Sequence, residues 1–109
     1  GVRVKWVTTS EIDTWSFALY RVEGQRSGEA VPDDAVKVTA NAILGEGRGG
    51  GGGSYEFVDV DASTGKVYTY WLVETETTGR TNVYGPAKWG GANAGGGATK
   101  VYLPMLKKR

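Results

Sequence analysis

Neither cysteine nor histidine occurs in this chain. The first absence removes disulfides and thiolate chemistry. The second removes imidazole, so Ser-His-Asp, Cys-His and His-ligated metal sites are all excluded. A chain without cysteine is compatible with any redox compartment, so nothing about location follows from that count. A dominant charge is lacking as well: 13 Lys and Arg face 12 Asp and Glu, and the net charge of +1 offers no electrostatic case for nucleic acid or an anionic membrane. No stretch is long and apolar enough to insert in a bilayer, and the residues after Gly1 carry no signal-peptide pattern, so the chain reads as a mature or excised piece. The one basic cluster, Lys107-Lys108-Arg109, reads as a short solvated tail.

What is present is a β pattern. The 109 residues suffice for one domain with an ordinary core and no metal or disulfide staple. The clearest segment is Val67 to Thr77, in which Tyr68, Tyr70 and Leu72 point to one face and Val67, Thr69, Trp71, Val73 and Thr75 to the other. Its β-branched and aromatic residues and its length predict a central strand with both faces at least partly covered. Upstream, Val2, Val4 and Trp6 alternate with Arg3, Lys5 and Val7 in a first strand, and Phe17 to Glu23 forms a second after a polar turn. A short, weak strand around Val36 to Thr39 reads as an edge. Tyr55 to Val60 leads through a turn into the central strand, and Thr78-Gly79-Arg80 closes a hairpin onto Thr81 to Lys88. Gly85-Pro86 inside that partner strand predicts an edge or a bulge. Short strands, close turns and no helix-period segment together predict an all-β, antiparallel sandwich.

Two stretches are glycine-rich. Ala40 to Ser54 reads as a loop; its Gly45, Gly47 and Gly50 satisfy G-x-G-x-x-G in form, but a strand rather than a helix follows, so no phosphate cradle is expected. Gly90 to Ala98 reads as a linker. Beyond it, Thr99, Lys100, Val101, Tyr102, Leu103, Pro104 and Met105 form a one-sided strand pattern, with Val101, Leu103 and Met105 apolar. The expected organisation is a sandwich over residues 1–89, a linker over 90–98, and a terminal strand with a basic tail over 99–109.

The residues of the sandwich resemble a fibronectin type III domain, and more closely the divergent modules of that kind in large secreted and surface proteins of environmental bacteria. Val2-x-Val4-x-Trp6 is similar to the family's second strand, and Phe17-x-Leu19-Tyr20-Arg21 to its third. Gly65-x-x-Tyr68 falls at the family's tyrosine corner, whose hydroxyl ties the preceding loop to the sandwich. Ala62 and Thr64 depart from the pattern, which has a larger aliphatic and a proline there. The resemblance implies an immunoglobulin-like sandwich and an extracellular or cell-surface location. The family's first strand has no counterpart, so the edge at Gly1 to Thr8 is left without its usual partner.

No enzyme, cofactor or metal site is expected. Asp33, Asp34, Glu56, Asp59 and Asp61 could offer oxygens to calcium, but neither they nor Glu11 and Asp13 follow a metal-ligand spacing, and surface carboxylates are the simpler reading. Trp15, Tyr20, Trp71, Tyr84 and Trp89 are candidates for a platform facing surface glycans, with Trp71 first among them because it points away from Tyr68, Tyr70 and Leu72. The missing first strand and the surplus last one fit each other. Filling the gap within one chain in the family's usual direction needs the linker to run the length of the sandwich, and about nine residues reach at most about 30 Å. The expectation is therefore a head-to-tail polymer of copies of this chain, with residues 99–105 as donor strand and Val2, Val4 and Trp6 as acceptor. A spacer or adhesion module, or a carbohydrate-binding one, is the alternative.

Overall fold

A computed structural model describes residues 1–9, 13–45, 52–63, 65–90 and 100–103. Among the described residues there are eight strands: β1 (Val2–Thr8), β2 (Thr14–Glu23), β3 (Val36–Lys37), β4 (Ile43–Leu44), β5 (Gly53–Asp59), β6 (Tyr68–Glu76), β7 (Thr81–Trp89) and β8 (Lys100–Tyr102). They form two sheets in a sandwich-like arrangement. One has the order β5-β1-β8; the other runs β3-β2-β6-β7, with β4 also paired to β2. Every pairing is antiparallel except that of β1 with β8.

The alternation read in the sequence becomes the core. Val2, Val4 and Trp6 of β1 face Phe17 and Leu19 of β2 and Tyr68, Tyr70 and Leu72 of β6, all nearly inaccessible. Burial of each such side chain stabilises the fold by roughly 1.5–3 kcal/mol. Trp6 stacks on Tyr55 at 5.5 Å and meets Phe17 edge-on at 5.8 Å, which joins both sheets through one aromatic cluster.

β6 is the centre of its sheet, flanked by β2 and β7, and both its faces are covered as expected. The outer face is closed by the loop after β2. Thr69 Oγ1 donates to the Gly24 carbonyl at 2.7 Å and accepts from the Arg26 N–H at 3.0 Å, while Trp71 Nε1 donates to the Gly28 carbonyl at 3.0 Å. Pro86 falls on the edge strand β7, opposite a register shift between Tyr70 and Leu72. Gly85 there has φ +130°, and a Cβ on it would sit 2.9 Å from the Tyr70 carbonyl, so no other residue fits without displacement.

The segment expected to be all loop, Ala40 to Ser54, is only partly so. Ile43–Leu44 adds to β2 beside β3, and β5 starts at Gly53. Pairing across strands, not side-chain alternation, draws these residues in: Leu44 and Ile43 pair with Ser16 and Phe17, and Gly53 pairs with Thr8, whose side-chain Oγ1 also accepts the Gly53 N–H at 2.8 Å. Of the three glycines in the G-x-G-x-x-G match, Gly45 donates its N–H to the Trp15 carbonyl, and the other two lie outside the described residues.

At the turn into β6, the buried Tyr68 hydroxyl accepts from the Ser63 N–H at 2.9 Å, so the corner expected at Gly65-x-x-Tyr68 is made. Tyr68→Phe removes the acceptor and leaves the Ser63 N–H without it. The expected loss is about 1–2 kcal/mol, read as a lower denaturation midpoint. An unchanged midpoint would mean the bond contributes nothing.

Candidate functional site

The candidate site is the slot beside β1. One edge of β1 is satisfied along its whole length by β5, from Val2↔Asp59 to Thr8↔Gly53. Its outward side chains are held as well: Arg3 Nη1 and Lys5 Nζ reach Glu56 of β5 at 2.8 and 3.4 Å. The other edge is the one the sequence leaves unpartnered, and β8 fills it with the register Arg3↔Lys100, Val4↔Val101 and Lys5↔Tyr102. The Leu103 N–H then donates to the Lys5 carbonyl at 2.9 Å. Tyr102 is 65% exposed, whereas Leu103 is 5% exposed and belongs to the core cluster.

The terminal strand docks on its own chain and runs parallel to β1. The reason is where the chain emerges. Val2 pairs with Asp59, Asp59 is bonded to Arg21, and the Glu23, Tyr68 and Trp89 positions are neighbours, so β1 begins at the pole where β7 ends. A parallel strand starts at that same pole. The linker therefore has to cross only between sheets, roughly 10 Å apart, and the reach problem vanishes. Of the expected donor residues, Thr99, Pro104 and Met105 lie outside the described residues, while Lys100, Val101, Tyr102 and Leu103 sit in or just past the strand. Of the expected acceptor residues, Val4 is in the described register, and Val2 and Trp6 supply the core that the strand closes.

The aromatic candidates divide differently from expectation. Trp71 is 0% exposed and covered by the loop carrying Gly28, so it is no platform. Pointing away from the core predicted exposure only if nothing covered that face. Trp89 is buried against Tyr68, with ring centroids 6.3 Å apart. Tyr20 is half-buried, and Tyr84 donates its hydroxyl to Glu74 Oε1 at 3.0 Å. Burial first, then the Glu74 charge, pushes the Tyr84 hydroxyl up to about 12. Trp15 alone of the five is largely exposed, at 57%.

Three of the candidate carboxylates, Asp34, Glu56 and Asp59, are ion-pair partners, and Glu11 lies outside the described residues. Arg26 holds Asp34, and Arg21 grips both oxygens of Asp59 at 2.7 and 2.8 Å across the gap between sheets. The Tyr70 hydroxyl donates to Asp59 Oδ2 at 2.9 Å, and burial, then the Asp59 charge, raises it well above the usual tyrosine range. The Arg21 guanidinium also lies 5.3 Å from the Tyr68 ring centroid. This network was missed in the sequence, although Arg21 shares its strand face with Phe17 and Leu19, and a charge on an inward position signals a buried partner. Comparison with family models, with curated proteins and with solved structures finds no match to this chain.

Proposed function

We propose that this chain is a non-enzymatic extracellular structural module of fibronectin type III kind, which assembles head to tail when the terminal strand of one copy fills the β1 slot of the next. The observation that carries this reading is the slot itself: a short strand on a glycine-rich tether supplies the missing edge of β1 and one core side chain, Leu103. Every contact it makes within its own chain is available in a neighbour's identical slot, so exchange conserves the bonds made and costs only the opening of the first. A heterologous contact of this type does not close on itself, so it propagates into an open polymer. The tether sets the threshold. A tethered strand competes at an effective concentration of order millimolar, so dilute protein stays monomeric with its tail docked, and assembly requires crowding at a surface or an opened first subunit. The hydroxyl of Tyr68 on the Ser63 amide is what favours the fibronectin-like reading of the scaffold.

The register supplies the test. Lys5 and Tyr102 are direct partners across β1 and β8, so the cysteine-free chain carrying Lys5→Cys and Tyr102→Cys reports where β8 sits. Oxidation in dilute solution is expected to give an intramolecular disulfide. Oxidation after mild denaturant treatment at high concentration is expected to give a ladder of covalent multimers on a non-reducing gel, which Leu103→Asp suppresses. Intramolecular disulfide alone at every concentration would overturn assembly by exchange and leave a spacer or adhesion module with a permanently docked tail.

A further inference from the structure

The chain leaves β7 and enters the β1 slot at one and the same pole of the sandwich. Trp89, the last residue of β7, pairs with Tyr68, which pairs in turn with Glu23 at the end of β2. Gly90 then turns the chain with φ +99°, packed so closely on the turn before β6 that a Cβ on it would lie 2.3 Å from the Lys66 carbonyl oxygen. The slot opens beside it. Arg3 pairs with Lys100 and Val2 with Asp59, and the Asp59 carboxylate is bonded to Arg21 and Tyr70 of the other sheet. Exit of the tether and mouth of the slot thus lie side by side, joined in the chain by residues 91–99.

This placement decides what exchange between copies makes. For one copy to fill another's slot, the two poles must come together. That approach sets the second copy's tail beside the first copy's emptied slot, because each pole carries both parts. The return exchange is then between tethered partners, at an effective concentration of order millimolar, whereas a third copy competes only at its own concentration. One-way donation leaves a tail unpaired at one end and, at the other, an empty slot with the core flank that Leu103 closes uncovered; mutual donation leaves neither.

We propose that two copies of this chain exchange their terminal strands mutually, as a closed pair about a two-fold axis, and that this pair holds polymer growth in check. The proposal rests on the strand-exchange reading above and adds where exchange stops. In the pair each β1 receives the partner's Leu103, so each core is completed by the other chain. Swapping of this kind remakes in the pair the contacts of the single chain. A copy in the pair offers neither tail nor slot to a filament. Growth beyond it then needs a local concentration above the millimolar range, as at a crowded surface.

The experiment counts thiols in the dimer. The chain carrying Lys5→Cys and Tyr102→Cys is unfolded, refolded at concentrations from micromolar upward and oxidised; covalent dimers are isolated and labelled with maleimide under denaturing conditions. A closed pair spends every thiol in interchain bonds and takes no label. An open pair keeps a thiol at position 5 of the copy with the empty slot and another at position 102 of the copy with the unpaired tail. Below about a millimolar the expected products are monomer and unlabelled dimer, with trimer at least about tenfold scarcer than dimer. Deleting residues 92–97 from the parent chain leaves a tether that reaches about 10 Å at full stretch, with no slack for docking on its own β1, and is expected to move the mass in light scattering from monomer to dimer. Dimers labelled at both positions, or trimers as abundant as dimers, overturn the closed pair and leave head-to-tail growth standing. Monomer at every concentration in both chains overturns exchange itself, and the proposed function with it.

Discussion

Asp59→Ala is expected to cost about 3–5 kcal/mol of stability, a large share of the roughly 5–15 kcal/mol that holds a small domain together. Asp59 is 2% exposed at the end of β5, and both its oxygens take Arg21 while one also takes the Tyr70 hydroxyl. Removing the carboxylate leaves the Arg21 guanidinium and the Tyr70 hydroxyl between two sheets without the acceptor they were placed around. The pair as a whole is a weaker contributor than its cleavage suggests, because desolvating two charges offsets most of their attraction. Arg21→Met combined with Asp59→Leu is therefore expected to recover most of the loss. In urea, where small proteins lose about 1–3 kcal/mol per molar, the single variant should shift the midpoint by about 2 M. A shift below about 0.5 M for the single variant would show that the guanidinium is resolvated without cost and that the two sheets do not depend on this bond.

Trp71→Ala is the second large effect, about 3–5 kcal/mol for removal of a fully buried aromatic. The indole fills the space between the outer face of β6 and the loop after β2, and its N–H is the donor to the Gly28 carbonyl. Gly85 lies against it, where a Cβ would come within 3.2 Å of the indole. The cavity left behind thus borders the β7 bulge as well as the loop, and the loop loses its anchor. Denaturation should show the destabilisation, and amide exchange should show the 24–28 segment losing protection ahead of the sheet. A ligand platform would behave in the opposite way: a variant as stable as the parent would restore Trp71 to the surface.

The contrast between Trp15 and Trp71 marks how far side-chain pattern reaches. Alternation along Tyr68 to Thr75 correctly separated the two faces of β6, because the strand period of two is fixed by backbone geometry and holds whatever the neighbours do. It could not say what covers the second face. That depended on a loop of glycine and polar residues, Gly24 to Gly28, whose carbonyls bond Thr69 and Trp71. The exposure of Trp15 escaped notice for a related reason: it falls at a bulge in the pairing of β2 with β6, an extra residue in a register, and register is a property of two strands together.

By itself the sequence determined the β class, the order of the main strands, the inward positions Val2, Val4, Trp6, Phe17, Leu19, Tyr68, Tyr70 and Leu72, and a further strand pattern beyond the second glycine-rich stretch. These follow from local chemistry and from counting, and local chemistry travels with the chain. Only the tertiary structure decided the direction of β8, the pairing of Arg21 with Asp59, and which tryptophan meets solvent. Each of those depends on which ends of distant strands share a pole of the sandwich. For β8 the deciding feature is that the start of β1 and the end of β7 share one pole, where a parallel partner of β1 begins.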